Sequence, residues 1–522
     1  MTIKDLLCDI KGNILKNYSC ILNQTDLITN KNKFYIIQLI ESGGSYTIYT
    51  RYGRIGETGK KICKQFSNSS SAEIYFGKQF YKKTGNFFNT PFTKKQGKYF
   101  LTEIEEPDVD EKIEYSSSDD EENLDNEMDE KIKYLINLIS NEKMLSDTLI
   151  CLNIDPKKLP LGKISKSQLY KASAILLKLK KLINTIKYEK KSKSRSKESD
   201  DDSEESGDDS EESSYSSSDE SGSSSDEKKI PFDISYVINN LSSEYYTFVP
   251  VVTNRTTRPP LLDNIKLIDK CLETIDELKN IHVTYTLLKK NKSKINKLTN
   301  IYDGLNTSIK PLTKTKKIYK ELVKYVINTH CTTHPCKLDI LNIYEVKKDT
   351  DKAYDKYTMN MKNKTLLFHG SQLSNWCSIL KNGLYLDPSK LGVQITGKMF
   401  GYGIYWANSV TKSFNYCNSN TTHKIAVLAI AEVALGEMHE QYFGDCSLSQ
   451  DKLKKLKKNS TWGKGVHCPS DSTVVDNVII PNGVIKKNVD KKSKYSLIYD
   501  EFVIYNTNQY KIKYLIVVKN II

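Results

Sequence analysis

Residues 366–417 read LLFHGSQLSNWCSILKNGLYLDPSKLGVQITGKMFGYGIYWANSVTKSFNYC. The apolar run Leu366-Leu367-Phe368 reads as a strand that delivers His369-Gly370-Ser371. Some thirty residues on, Gly397, Gly401 and Gly403 punctuate a turn region ahead of Ile404-Tyr405-Trp406-Ala407. A polar patch with Lys412, Ser413 and Tyr416 follows, and Tyr499-Asp500-Glu501-Phe502 opens another strand-like run near the C-terminus. Each signal is weak alone. A His after an apolar run is usually a satisfied core side chain, a strand Glu an edge charge, and a glycine-rich run a set of turns. The ordered set, spread over roughly 130 residues, is what carries weight.

Outward from that stretch, 522 residues leave room for three or four domains of about 100–200 residues each. Lys and Arg number 78 against 64 Asp and Glu, a net charge of +14. The balance is uneven: residues 198–227 hold fourteen acidic side chains and no Lys or Arg, so the remainder is far more basic than the total. A basic body with an acidic tract suits a polyanion partner such as nucleic acid. Part of that lysine content also follows from an AT-rich coding sequence, which favours Lys, Asn, Ile and Tyr. The 11 Cys are odd in number and irregularly spaced, and no signal-peptide core opens the chain. This points to reduced thiols inside a cell, not a secreted disulfide frame. Asp5 and Asp9 interrupt the start, which does not read as a transit peptide. No apolar run approaches the ~18 residues of a membrane span.

The pattern divides the chain. Residues 1–18 form a tail, and 19–104 a small β-rich domain with strand-like runs at 34–40 and 45–51 and a helix over 71–83. An acidic linker, 105–130, is too polar to bury a core. Residues 131–300 read as helical. Ile132, Leu135, Ile136 and Ile139 form one stripe, and Leu169, Ala172, Leu176, Leu179 and Ile183 form another behind a capping box at Ser165-Lys166-Ser167-Gln168; both stripes read as bundle core. A Ser, Asp and Glu tract at 190–229 interrupts this region, disordered by composition and a candidate acceptor of modification. Apolar runs at 426–431, 476–480 and 514–518 make 301–522 a mixed, mainly antiparallel domain. The fold class expected is multidomain α+β.

The order His-Gly-Ser, Gly-Ile-Tyr, Lys-Ser-x-x-Tyr and strand Glu resembles the NAD-binding fold of the poly(ADP-ribose) polymerases. Tyr52-Gly53-Arg54 resembles the Trp-Gly-Arg signature of the WGR domain, with Tyr in the Trp position. The run Leu159 to Ser165, followed by Arg258-Pro259-Pro260-Leu261-Leu262, resembles the all-helical regulatory domain of the DNA-dependent members. No paired-Cys zinc fingers precede the WGR-like segment, so the likeness is to the shorter members.

The resemblance implies NAD+ as substrate, no metal, and a His-Tyr-Glu triad at His369, Tyr405 and Glu501. It places the NAD+ contacts at His369, Gly370, Ser371, Asn375, Tyr405, Lys412, Ser413 and Tyr416, an acceptor-side contact at Met399, and DNA contacts at Tyr52, Gly53 and Arg54. The residue types suit the chemistry. Gly370 lets backbone lie close to a flat carboxamide, Ser413 adds a hydrogen bond, and Tyr405 and Tyr416 offer ring faces. His369 can bond a ribose hydroxyl, and Glu501 can hold the other ribose and stabilise an oxocarbenium-like centre. Lys412 can neutralise local charge or reach Glu501; the sequence leaves both open. In the family, Glu at the third triad position accompanies polymer formation. Tyr402, Tyr385 and Asn408 stand where the family often has Lys, Arg and Asp.

The expected function is therefore poly(ADP-ribose) synthesis on protein acceptors, the enzyme itself included, stimulated by DNA ends or nicks. The helical domain would obstruct NAD+ until DNA binding loosens it. The protein would be monomeric, intracellular, nuclear in a eukaryotic cell, and unattached to membrane. The alternatives are single-unit transfer and a catalytically silent DNA-end-binding scaffold. His330, Cys331, His334 and Cys336 crowd together, but their spacing matches no common zinc finger.

Overall fold

Alternation along the strand Lys31–Ser42 gives the N-terminal sheet two apolar faces. Tyr35, Ile37 and Leu39 serve one face, Phe34 and Ile36 the other. In the computed structural model, which describes residues 4–5, 7–102, 128–152, 154, 165–195, 232–289, 297–331, 333–384, 386, 398–417, 424–488 and 494–522, this strand is central. The antiparallel sheet runs in the order Lys60–Phe66, Ser45–Arg54, Lys31–Ser42, Asn13–Asp26, Phe100–Leu101. The helix Ser69–Thr84 closes the first face with Ala72, Phe76 and Phe80. It starts two residues before its apolar pattern because the Asn68 side chain accepts from Ser71 N–H at 2.8 Å. It stops at Gly85, whose φ of 72° suits a residue without Cβ.

The second face is covered too. Ile21, Phe34 and Ile36 enter one core with Leu169, Ala172, Leu176 and Leu179 of the helix Lys166–Arg195 and with Tyr245 and Phe248 of the helix Phe232–Phe248. The sequence pattern separates 19–104 from 131–300; the structure fuses their cores, because a sheet apolar on both sides needs a second cover. Hydroxyls complete the seam: Leu27 N–H donates to Ser243 Oγ at 3.0 Å and Thr25 N–H to Thr247 Oγ1 at 3.2 Å. Backbone donors left over by the short outer strand are thereby satisfied.

The helical region comprises Glu130–Ile139, Glu142–Cys151, Lys166–Arg195, Phe232–Phe248, Ile265–Lys289 and Lys297–Gly304 among the described residues. Ser165 Oγ accepts from Gln168 N–H at 3.1 Å, the first half of the expected capping box. The stripe on Glu130–Ile139 is shared between the bundle, where it clusters with Val283, Leu287 and Ile301, and the C-terminal domain. Leu135, Ile136 and Ile139 pack with Leu367, Trp376 and Leu380 of the C-terminal domain. The helix Lys297–Gly304 crosses the expected boundary at residue 300, and Ile301 joins the same C-terminal core. The acidic stretch 198–227 and most of 105–130 lie outside the described residues.

The C-terminal domain is built on a seven-stranded sheet ordered Thr473–Val475, Val478–Ile480, Lys364–Gly370, Ile425–Ala434, Tyr510–Asn520, Leu338–Lys347, Ser308–Pro311. Its pairings are antiparallel except that of Val478–Ile480 with Lys364–Gly370. A second sheet orders Met438–Gln441, Ser460–Gly463, Glu501–Ile504 and Ile404–Trp406, and a third joins Ile485–Lys487, Gly465–Pro469 and Leu497–Tyr499. Among the described residues no helix is long and apolar enough to cross a membrane.

Arg51 is the buried cation of the N-terminal sheet, 1% exposed. Its Nε and Nη2 donate to the two Asp5 oxygens at 2.6 and 2.9 Å, and Nη1 donates to Thr58 O at 2.9 Å. Arg51→Met, which strands the Asp5 carboxylate, is expected to cost about 3 kcal/mol of stability. The readout is faster amide exchange in Lys31–Ser42 and Ser45–Arg54; unchanged exchange would show that the pair is not structural.

Candidate active site

Two backbone hydrogen bonds assemble the cleft. Phe368 N–H donates to Ala407 O at 2.8 Å and Ala407 N–H to Phe368 O at 3.0 Å, stitching the seven-stranded sheet to the four-stranded one. His369, the next residue, therefore meets Tyr405: its Nδ1 lies 3.0 Å from Tyr405 O. A carbonyl only accepts, so Nδ1 carries the proton and Nε2 is the acceptor side. Burial pushes the imidazole pKa below its ordinary value, and the nearby charge of Lys398 acts in the same direction. A neutral His369 with a fixed tautomer is thus ready to accept from a hydroxyl. The Trp406 ring supports it at a centroid distance of 5.4 Å.

Tyr405 is clamped at both ends. Its backbone pairs with Val503, and its hydroxyl donates to Gly401 O at 2.8 Å and accepts from Phe400 N–H at 3.0 Å. The same strand pairing brings in Glu501, which opens Glu501–Ile504 and is 9% exposed. Lys412 does reach Glu501: Nζ is 3.0 Å from Oε1 and also donates to Tyr499 O at 2.7 Å and Asp500 O at 3.2 Å. Burial pulls the Lys412 pKa down while the Glu501 carboxylate pulls it back up. A buried charge pair with further hydrogen bonds holds its geometry far better than an exposed one.

Gly370 and Ser413 meet through backbone. A Cβ on residue 370 would sit 1.8 Å from Ser413 O and 3.1 Å from Cys417 Sγ, so this contact needs glycine. Ser413 is buried in the short helix Val410–Phe414, whereas Tyr416 beyond it is 63% exposed at the cleft rim. Met399 packs with Phe400, Leu448, Leu453, Val503 and Tyr505 beside Tyr405. Ser371 accepts from Asn375 Nδ2 at 3.0 Å. Asn375 is itself buried and stands behind Ser371.

On the N-terminal domain, Tyr52 stacks on Tyr35 at 5.9 Å, and Gly53 lets the neighbouring hairpin strand approach, Gly59 Cα lying 2.9 Å from a Cβ built there. Arg54 engages acceptors within the protein. Its guanidinium donates to Asn30 O, Asn30 Oδ1, Thr253 Oγ1 and Thr257 O at 2.9–3.1 Å and to Thr253 O at 3.3 Å. It therefore ties the turn at Asn30 to the loop between the helices Phe232–Phe248 and Ile265–Lys289, where the Thr253 and Thr257 oxygens meet its planar fork of donors.

The helix Ile265–Lys289 lies against Leu373–Asn375 and Trp376–Asn382, just after His369-Gly370-Ser371. Glu277 on it accepts from Gln372 Nε2 at 2.5 Å. Burial, with Glu273 alongside, pushes the Glu277 carboxyl up to about 7. The sequence carried no signal for this contact; Glu277 reads there as one more charged helix residue. Trp406 and Asp500 were also passed over, although each adjoins a residue singled out. Of the noted departures, Tyr402 lies under Lys398 Nζ at 4.6 Å, Asn408 is buried, and Tyr385, like Gly397, lies outside the described residues. His330 spends both ring nitrogens on backbone, Nδ1 toward Val326 O at 2.8 Å and Nε2 accepting from Leu338 N–H at 3.2 Å. Among the described residues no group of three or more His, Cys, Asp or Glu is arranged to hold a metal ion.

Comparison with known families matches residues 316–520 to the poly(ADP-ribose) polymerase catalytic domain, 126–304 to the poly(ADP-ribose) polymerase regulatory domain, and 18–96 to the WGR domain. Similar proteins include a poly [ADP-ribose] polymerase of Sarcophaga peregrina, 30% identical over 96% of this chain and 46% of that protein. Poly [ADP-ribose] polymerase 2 of Zea mays is 28% identical over 96% of this chain and 70% of its own length. Poly [ADP-ribose] polymerase 2 of Homo sapiens is 28% identical over 96% and 79%. The chain thus spans less than half of the first of these and over two thirds of the others.

Gly370→Ala is expected to weaken NAD+ binding about tenfold or more in calorimetry, since the new methyl must push the strand off Ser413. Unchanged affinity would place the close approach outside the site. Lys412→Met is expected to lower turnover by about 100-fold by releasing the Glu501 carboxylate; a near-native rate would remove Lys412 from that role.

Proposed function

Because this chain belongs to the poly(ADP-ribose) polymerase family, we propose that it transfers ADP-ribose units from NAD+ to protein acceptors, itself included, and to growing chains, when its N-terminal domain meets DNA ends or nicks. The observation that carries this reading is the convergence of His369, Tyr405 and Glu501 on one cleft, with Lys412 held on Glu501.

The bond from ribose C1′ to the nicotinamide nitrogen breaks and nicotinamide leaves neutral. An acceptor oxygen or carboxylate forms the new bond to C1′, and a hydroxyl acceptor gives up its proton. Gly370 and Ser413 hold the carboxamide and the tyrosine rings flank the nicotinamide. Neutral His369 accepts from the adenosine-side ribose through Nε2. Glu501 bonds the nicotinamide-ribose hydroxyl, opposes the positive charge that grows at C1′, and polarises the next acceptor hydroxyl during elongation. Met399 borders the acceptor side. The protein works as a monomer inside the cell, in the nucleus of a eukaryotic host.

Control comes from the helical region. The helix Ile265–Lys289 braces the segment that follows His369-Gly370-Ser371, and the N-terminal sheet shares a core with the neighbouring helices. A DNA contact at Tyr52, Gly53 and the adjoining lysines would strain that shared core and lift the helix from the cleft. Arg54 joins the sheet to the regulatory loop, so any phosphate that captures it also loosens that joint.

The test is purified protein with labelled NAD+, with and without nicked or blunt duplex DNA, resolved on a denaturing gel. A DNA-dependent ladder or smear is expected. One sharp band would favour single-unit transfer, and no label despite binding of an NAD+ analogue would favour a silent scaffold. Glu501→Gln is expected to abolish chain growth while NAD+ binding persists; long polymer from that variant would overturn the role given to Glu501.

The Glu277 contact adds a pH dependence. Its carboxyl is raised to about 7 when docked, against an ordinary 4.5. Protonation therefore favours docking, fully below about 4.5, and this support is lost as pH rises through about 7. The ratio of DNA-stimulated to basal activity is expected to fall between pH 5.5 and 7.5, and Glu277→Gln to flatten that slope. Equal slopes in both proteins would exclude the contact as a brake.

A further inference from the structure

Asp500 stands one residue before Glu501, and its side chain turns away from the cleft into the protein, 1% exposed. Oδ1 accepts from Gly465 N–H at 2.7 Å and Oδ2 from Asn408 Nδ2 at 3.2 Å. Gly465 opens the strand Gly465–Pro469 of the third sheet, and its backbone touches that of Tyr499, where an added Cβ would lie 2.4 Å from the carbonyl carbon. Asn408 follows the strand that carries Tyr405. One carboxylate thus gathers three segments: the strand of Glu501, the strand of Tyr405 and the start of the central strand of the third sheet. The backbone of the same residue faces the chemistry, since Lys412 takes the carbonyls of Tyr499 and Asp500 as well as the Glu501 carboxylate. Nothing in the proposed mechanism uses the Asp500 side chain, yet it is among the most deeply buried acids described.

We propose that Asp500 is a positioning residue for Glu501: its carboxylate fixes the backbone turn from which Glu501 and the two carbonyls that hold Lys412 project. This rests on the transferase reading above. The fit is specific to an acceptor with two oxygens. Gly465 N–H and Asn408 Nδ2 both donate, and Asn408 Oδ1 is buried without a protein partner, so the amide is oriented by Asp500. A protonated Asp500 keeps one oxygen for Gly465 but turns a hydroxyl against the Asn408 amide, which must then rotate.

The charged and titratable groups around it are Glu501 beside it, Lys412 from the helix Val410–Phe414, and Cys468 with Lys464 from the third-sheet side; His334 and His467 flank Tyr499 at 5.4 and 5.7 Å. Burial pushes the Asp500 carboxyl up to about 6, offset in part by the Gly465 N–H. The ionised form that accepts both donors is therefore present above about pH 6 and lost below it. The lesion on acidification falls on the placement of Glu501, so it acts on turnover and not on capture of NAD+.

The experiment is steady-state nicotinamide release by the full chain with DNA, from pH 5 to 9, for the wild type, Asp500→Ala and Asp500→Asn, with melting curves as folding controls. Asp500→Ala is expected to lose kcat by about tenfold or more with KM for NAD+ within about twofold. Asp500→Asn, which keeps an acceptor for Gly465 but, like the protonated acid, turns a donor against Asn408, is expected to hold kcat near the low acid-form value at every pH and so to lose the acid limb near pH 6. Native kcat in Asp500→Ala, equal losses in kcat and NAD+ capture, or an unchanged acid limb in Asp500→Asn would each overturn the role. Should Asp500→Ala fail to fold, the acid limb of Asp500→Asn decides. A wild type that releases no nicotinamide would overturn the transferase reading itself, a result separable from the others.

Discussion

The cleft depends on the two-hydrogen-bond bridge between Phe368 and Ala407. It is the place where the end of an inner strand of one sheet meets the continuation of an outer strand of another. Everything catalytic follows from it by short steps. His369 is one residue past the bridge on one side, Tyr405 two residues before it on the other, and Glu501 reaches the site because its strand pairs with that of Tyr405. Backbone hydrogen bonds in a buried setting carry little sequence information but strict geometry, so three side chains far apart in the chain are placed without any contact among their own functional groups.

Charge in this cleft is managed by pairing. Glu501 and Lys412 are both nearly buried, and each would be costly alone. Together, with two backbone carbonyls on the ammonium, they hold a carboxylate where a cation would develop. Asp500 repeats the device one layer deeper with neutral donors, and its burial is tolerated because Gly465 and Asn408 supply what water would have supplied. The same logic fails to close at Glu277, where a single amide faces a carboxyl crowded by Glu273, which makes that contact the less secure of the two kinds.

The regulatory region is not a free-standing bundle. The helices Lys166–Arg195 and Phe232–Phe248 share a core with the N-terminal sheet, Glu130–Ile139 and Lys297–Gly304 join the C-terminal core, and the long helix Ile265–Lys289 contributes Ile268, Leu272 and Ile275 to the first cluster and Val283 and Leu287 to the second. A perturbation at the N-terminal sheet therefore has a continuous packed route to the segment beside His369. Packed cores shift between discrete arrangements more readily than they deform, which suits a switch.

Much of this was legible beforehand because it rests on local rules. Runs of β-branched, aromatic and other apolar residues announced the strands at 34–40 and 514–518, and apolar stripes announced Lys166–Arg195 and most of the helix Ser69–Thr84. His369, Tyr405 and Glu501 stood out because their flanking words resemble a known family, and the structure brings them to one cleft. Lys412 could only be narrowed to two roles, since the choice depended on where a strand about ninety residues later would lie. The partners of the stripe at Ile132 to Ile139, the engagement of Arg54, the burial of Asn375 and the contact of Glu277 with Gln372 were beyond the sequence for the same reason. By itself the chain determined which residues would be helical, extended or chemically apt, because those follow from spacing and residue type. Only the tertiary structure decided which apolar face met which, and which charge met which, because a stripe or a carboxylate specifies the kind of partner it needs and not its address.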